Sequence, residues 1–216
     1  HTPGTVTVYD INTHAQQSER FFNLYTLQNT NTNTYAELSN ETRKKVEQSI
    51  VQHMRSDVPV GTCLSGGLDS SIILNVMAKY HPEPLHSFTA RFTGSSIDEW
   101  AFAQAASDHL NVHAVAVEPQ WQEFNRDLNS LLYALDAPIW DTSTYAQFRV
   151  MQAAHAHGIK VVLDGQGADE LYAGYDHYFI TYWEHLFSNF KFLSAIQHLQ
   201  NSKKSIPYPF TLFLKK

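Results

Sequence analysis

The chain has 216 residues, 43% of them hydrophobic and 13% aromatic, enough to bury the core of one domain with an appendage. Its 15 Lys and Arg against 21 Asp and Glu leave a formal charge of −6, which gives no electrostatic reason to expect a nucleic-acid partner. No run approaches the length of a membrane span, no charged-then-apolar signal opens the chain, and the lone Cys63 has no internal disulfide partner. A cytoplasmic setting without a membrane partner is expected.

Thr5-Val6-Thr7-Val8-Tyr9 alternates like a short strand without its neighbours. The polar tract from Gln28 to Thr34 has nothing to bury, so residues 1–37 read as a linker. Ser39 is expected to cap a helix carrying Val46, Ile50 and Met54 at fourfold spacing. Pro59 breaks that pattern, and Val60 to Leu64 forms an apolar strand that runs into two glycines. A helix is expected from Asp69 to Tyr80, with Ile72, Ile73, Val76 and Met77 facing the core.

Leu85 to Phe92 alternates as a second strand, and Asp98 opens an alanine-rich helix to Leu110. Val112 to Val117 is a third strand, and Trp121, Phe124, Leu128, Leu131 and Leu135 mark one face of the next helix. A further helix runs from Thr144 to Gly158, a residue suited to ending it. Ile159 to Leu163 forms the fourth strand, and an aromatic, helical-looking stretch continues from Tyr175 to Leu199. Alternating strands and helices imply an α/β fold, a parallel sheet with helices on both faces. Ligands then bind at the carboxyl ends of the strands, near the switch point.

Two glycine turns sit at such ends. Ser65-Gly66-Gly67-Leu68-Asp69-Ser70-Ser71 joins a strand to a helix. Its glycines let backbone N–H groups approach an anion, the helix adds its positive end, and Ser65, Ser70 and Ser71 add hydroxyl donors. The turn suits a phosphate or pyrophosphate but is not a Walker loop, because the Gly-Lys-Ser/Thr ending is missing. Asp69 is placed to hold Mg²⁺ on the phosphates. The second turn, Asp164-Gly165-Gln166-Gly167-Ala168-Asp169-Glu170, lacks the third glycine of a dinucleotide fingerprint and carries three carboxylates. Its simpler reading is a helix start with favourable acids in the first turn.

The first string resembles the pyrophosphate loop of the N-type ATP pyrophosphatases, and Leu68-Asp69-Ser70-Ser71 is most similar to the asparagine synthetase branch. Arg55 to Gly61, His86-Ser87-Phe88-Thr89, Val161 to Leu171 and Gly174-Tyr175 resemble the same branch in the same order, over about residues 39–178. The resemblance implies a Rossmann-like adenine nucleotide alpha hydrolase fold over 38–216, in part, following the end of a glutaminase domain. It implies ATP and Mg²⁺, with Asp69 and Asp169 sharing the metal. Leu64 and Ala90 would contact the adenosine by backbone, and Asp164 and Gly165 would complete the pocket. Aspartate would be adenylated with release of pyrophosphate, and ammonia from the glutaminase domain would displace AMP. Gln166 and Glu170 are the residues placed at that chemistry, and a homodimer is implied for the whole protein.

Gln166 stands where asparagine synthetases usually carry glutamate. A carboxylate doing acid–base work there would be missed by on the order of 10²–10⁴ in rate, so Gln166 marks a subgroup and leaves the acid open. A glutaminase nucleophile at the start is not visible, and Lys203, Lys204, Lys215 and Lys216 read as solvated tail charges with no counterpart to the family's later lysine segment. The chain is therefore expected to be a fragment that binds ATP without completing the reaction. A β-lactam- or peptide-cyclising relative and a non-catalytic ATP-binding module are the alternatives. His155 and His157, two apart, do not make a zinc pair.

Overall fold

The computed structural model describes residues 2–23, 26 and 32–202; the tail lysines and most of the polar tract lie outside them. The chain divides into two compact units, His1–Val46 and Glu47–Lys216. The first holds an antiparallel hairpin of β1 (Thr5–Tyr9) and β2 (Gln16–Arg20), with Thr5 opposite Arg20 and Tyr9 opposite Gln16. The strand expected to stand alone thus has a partner. Gln16-Gln17-Ser18-Glu19-Arg20 is polar on both sides, so hydrophobic alternation could not reveal it. At the connecting turn the Asp10 carboxylate accepts from the N–H groups of Asn12 (2.8 Å) and Thr13 (2.9 Å).

Helix α1 (Tyr35–His53) starts earlier than Ser39. Thr34 and Glu37 form a reciprocal capping box: Glu37 N–H donates to the Thr34 hydroxyl, and Thr34 N–H donates to the Glu37 carboxylate at 2.7 Å. That pair out-competes a lone serine inside the same helix.

The second unit is built on a parallel sheet of β3 (Val60–Cys63), β4 (His86–Ala90), β5 (His113–Val117) and β6 (Val161–Leu163), in the order β5-β4-β3-β6. The sheet grows outward from β3 through β4 to β5, and then the chain returns to the other side of β3 for β6. The switch point lies between β3 and β6. Helices α2 (Leu68–Tyr80), α3 (Trp100–Leu110), α4 (Trp121–Leu135) and α5 (Thr142–Ala156) connect the strands. Successive β4 residues face opposite ways: the Ser87 hydroxyl meets that of Ser107 on α3 at 2.9 Å, whereas Phe88 packs with Val150 and Ala154 of α5 and with Ile159. Helices therefore cover both faces.

Within α2, Leu74 and Met77 are fully buried, and Ile72, expected to face the core, is exposed. On α4 Leu131 is fully buried, but Trp121 lies outside the expected apolar face and stacks on Phe124 at 5.1 Å. Helix α5 begins ahead of Thr144 because the Asp141 carboxylate accepts from Thr144 N–H at 3.1 Å and caps the helix there. After the short helix α6 (Ala168–Tyr172), the helical-looking aromatic stretch from Tyr175 to Leu199 is two helices, α7 (Asp176–Ser188) and α8 (Phe192–Ser202), separated where Phe190 turns left-handed. Trp183 is buried and donates its indole N–H to His198 at 3.0 Å, while Tyr172 and Tyr182 stay exposed.

Candidate functional site

Parallel pairing of Val60 with Val161 and Thr62 with Leu163 brings β3 and β6 to the same level at their carboxyl ends. The two glycine turns therefore emerge side by side. They touch: a methyl group at Gly165 would lie 3.2 Å from Asp69 Cβ and 3.2 Å from the Ser70 backbone nitrogen. Residues a hundred positions apart in sequence are thus joined at the switch point.

In the first turn, Gly66 adopts φ of +83°, and a side chain there would meet Phe102 Cβ at 2.8 Å and Ala103 N at 3.0 Å. The turn is pressed against the start of α3 and has room only for glycine. Gly67 is the N-cap of α2 and, as a glycine, makes no side-chain capping bond to the helix. The Ser70 hydroxyl, buried, accepts from Ser65 N–H at 3.2 Å and lies 3.0 Å from the Ser65 hydroxyl, which accepts from Gly67 N–H at 3.2 Å. Two of the loop's N–H donors are thus held by its own serines. Ser71 N–H donates to Gly67 O at 3.1 Å and its side chain is half-buried.

Leu64 is buried immediately before this turn, with its N–H donated to Phe88 O at 2.9 Å. Ala90, half-buried, packs against the core at the end of β4. Arg91, the next residue, sits between Asp98 and Glu118, both 3.7 Å from its Nε, and over the Trp100 ring.

In the second turn, Asp164 is half-buried and receives Gln147 Nε2 of α5 at 3.4 Å. Gln166 and Gly167 are exposed, and Gly167, at φ of +89°, starts α6. Asp169 is half-buried and fills the space that a side chain on Gly174 would need. Glu170 is exposed and accepts from the Tyr175 hydroxyl at 2.9 Å, a bond that raises the Tyr175 pKa above the usual phenol range. Cys63 lies behind both turns; burial, with a smaller contribution from the Asp164 carboxylate, pushes its thiol up to about 12. It is a packed thiol and not a nucleophile.

Asp69 and Asp169 are half-buried, and no cluster of three His, Cys, Asp or Glu groups able to hold a metal occurs among the described residues. Each of the two aspartates carries carboxylate oxygens, the donor type that Mg²⁺ takes one or two at a time, with phosphate oxygens and water completing its shell. A cavity of about 530 Å³ lies between α4 and α5, lined by Leu131, Phe148 and Met151 and by Gln147, whose amide donates to Asp164.

The hydroxyls of Thr62 and Thr89 and the amide of Gln147 belong to this end of the sheet; the sequence gives none of them a role, although Thr89 closes the His86-Ser87-Phe88-Thr89 string. The available signal is a buried threonine at the last position but one of a strand.

These features define a doubly wound α/β domain whose two glycine turns meet at the β3–β6 switch point. Residues 41–207 match the family model described as asparagine synthase, and the chain belongs to that family. It is 35% identical over 141 residues to asparagine synthetase (glutamine-hydrolyzing) 1 of Bacillus subtilis, a match covering 65% of this chain and 22% of that protein. It is 30% identical over 148 residues to Amidase chyE of Penicillium rubens, covering 62% and 22%. The chain spans about a fifth of the length of these relatives. Among solved structures it is similar to an NH3-dependent NAD synthetase from Campylobacter jejuni, with a TM-score of 0.40 and 14% identity over 66% of this chain and 61% of that one. No helix among the described residues is long and apolar enough to cross a membrane.

Proposed function

We propose that this chain is the ATP-using part of an amide-forming ligase that adenylates a carboxylic acid and passes the acyl group to ammonia. The observation that carries the reading is the contact of the two glycine turns, Gly165 against Asp69 and Ser70, at the switch point. The triphosphate would lie on the first turn, with Ser65, Gly66, Gly67, Ser70 and Ser71 around it. Leu64 and Ala90 on one side, and Asp164 and Gly165 on the other, would enclose the adenosine.

The acid's carboxylate oxygen bonds to the α-phosphorus, the bond from that phosphorus to the bridging oxygen breaks, and pyrophosphate leaves. Ammonia then bonds to the acyl carbon, and AMP departs with the electron pair of the carbon–oxygen bond. Glu170, steadied by the Tyr175 hydroxyl, is the carboxylate at hand for the proton that ammonia loses. Gln166, exposed at the turn, would orient the acid by its amide. Asp69 and Asp169 would hold Mg²⁺, which when bound offsets charge on the phosphates. The protein's own contribution is positioning and a fixed polar environment.

Aspartate is the acid the family favours, with ammonia drawn from a glutaminase domain and a cytoplasmic, homodimeric whole protein. Neither nucleic acid nor membrane enters the reading. Gln166 and the likeness to an amidase favour a second reading, in which the acid is different.

ATP–pyrophosphate exchange over a panel of amino acids and other carboxylic acids tests both. Exchange stimulated by aspartate supports the first, and exchange with another acid alone supports the second. ATP binding without AMP formation for any acid leaves a non-catalytic module. Asp69→Ala is expected to abolish Mg-dependent ATP binding, and unchanged affinity in that variant would refute the metal role.

A further inference from the structure

We propose that Thr89, supported by Thr62, is a positioning residue for the nucleoside: its hydroxyl fixes the Leu64 carbonyl so that Leu64 offers a ligand only an acceptor. This rests on the ATP reading above. Both threonines are almost completely buried, at 0% exposure for Thr62 and 2% for Thr89. Thr89 Oγ1 donates to Leu64 O at 2.6 Å. Thr62 Oγ1 donates to Leu163 O at 3.0 Å and also lies 3.1 Å from Cys63 O. Leu64 and Leu163 are the residues immediately before Ser65 and Asp164, where the two turns begin. Side-chain donors therefore hold the last carbonyl on each side of the switch point, where strand pairing gives out and the turns must diverge around a ligand.

The hydrogen-bonding capacity of Leu64 restricts the ligand. Its N–H is committed to Phe88 O at 2.9 Å, and one of the two lone pairs of its carbonyl is committed to Thr89. The backbone capacity left is a single lone pair. A nucleoside that meets Leu64 by backbone must bring a donor, either the exocyclic amine of adenine or a ribose hydroxyl. Pyrophosphate, whose oxygens are nearly all acceptors, gains little from Leu64 and depends on the N–H groups of the glycine turn. Thr89 thus serves the nucleoside half of the ligand and not the phosphate half.

Titration calorimetry with AMP and, separately, with pyrophosphate tests this on the wild-type chain, Thr89→Val and Thr89→Ser. Losing one neutral hydrogen bond predicts an AMP affinity lower by about fivefold to tenfold in Thr89→Val. Pyrophosphate affinity should stay within about twofold, and Thr89→Ser, which keeps the donor, should bind AMP as the wild type does. A general loss of folding lowers both affinities together, so parallel losses in Thr89→Val overturn the proposal, as does unchanged AMP binding. If Thr89→Val does not fold, Thr89→Ser against Thr89→Ala gives the same comparison. Inosine monophosphate lacks the amine, and the 2′- and 3′-deoxy forms of AMP each lack a hydroxyl. Weaker binding of one of them identifies the donor, and equal binding of all overturns the acceptor-only assignment. A wild-type chain that binds neither AMP nor pyrophosphate sinks the ATP reading and this proposal together. One that binds both, with Thr89→Val losing both, sinks the proposal alone.

Discussion

Gly165 has no side chain because Asp69 and Ser70 occupy the space one would need. An added methyl at 3.2 Å from helix-borne backbone must push α2 or the second turn aside, and such overpacking costs about 1–3 kcal/mol. Gly167, two residues on, is left-handed, and a methyl added there would meet nothing within 4 Å. Its alanine variant therefore loses only the roughly 1–2 kcal/mol that a left-handed backbone costs a residue with a Cβ. Gly165→Ala should lower both melting temperature and nucleotide affinity, whereas Gly167→Ala should lower the melting temperature with less effect on binding. Melts and nucleotide titrations on the two variants check the contrast; equal losses of affinity would remove the case for turn-to-turn contact as the essential feature. The glycines are legible in the sequence because their spacing is a backbone signal. The behaviour of Ser65 and Ser70 is not. Composition counts them as free donors, but only the folded loop places their hydroxyls on its own N–H groups.

Among the elements, α4 and α5 are joined by a polar clamp. The buried Asp127 carboxylate takes hydrogen bonds from Arg126, Tyr145 and Arg149, and these hold its pKa below the ordinary carboxylate range. For Glu123 partial burial works upward, but Arg149 and Arg126 outweigh it and the net shift is downward. Both folded-state values lie below the unfolded ones, so the clamp's stabilisation is complete above the unfolded pKa and is lost as pH falls through the folded values. Arg149→Gln should lower the melting temperature by about 5 °C near neutral pH, and the gap to wild type should close as pH drops below about 4. A gap that persists at low pH would assign the loss to packing of the Arg149 stem instead. None of this clamp is legible in the sequence, since Glu123 and Asp127 belong to one helix and Arg149 to another, and their facing sides are set by packing. Helix starts differ from the sequence reading for a related reason: Thr34 with Glu37, and Asp141 with Thr144, are local hydrogen-bond pairs that outweigh the hydrophobic pattern pointing to Ser39 and Thr144.

Over the whole sheet, the two ends differ in character. The carboxyl ends carry the glycine turns, while the opposite end gathers His86, His113 and His157, with ring centroids 5.2 and 5.8 Å from His86. Burial first, then His113 and His157, lowers the His86 pKa. A depressed imidazole leaves the folded state neutral while the unfolded chain takes up a proton, so stability should begin to fall as pH drops below about 6.5. His86→Gln should flatten the fall in melting temperature that begins below about pH 6.5, above the window of the α4–α5 clamp; an unchanged slope would assign the effect elsewhere. The four parallel strands and the placing of both turns at strand ends are legible, because each strand is a short apolar run and each turn a fixed string. The hairpin is not, since a polar strand leaves no mark in hydrophobic periodicity, and the faces of α2 and α4 are legible in part: Met77 and Leu131 are buried as expected, whereas Ile72 and Trp121 are exposed.

The pairing of β6 with β3 also bears on how the molecule comes together in time. Thr62 and Leu163 are bonded across a separation of 101 positions, so half of the candidate site closes by one of the longest-range contacts in the chain. Contacts of that kind carry a loop-closure cost and slow the search for the native state. The first turn can form with β3, β4 and the helices between them while one edge of β3 still awaits its neighbour. Until β6 arrives, that edge is an open template for strand pairing with another molecule. Assembly of the candidate site and protection of β3 from aggregation are consequently the same late event.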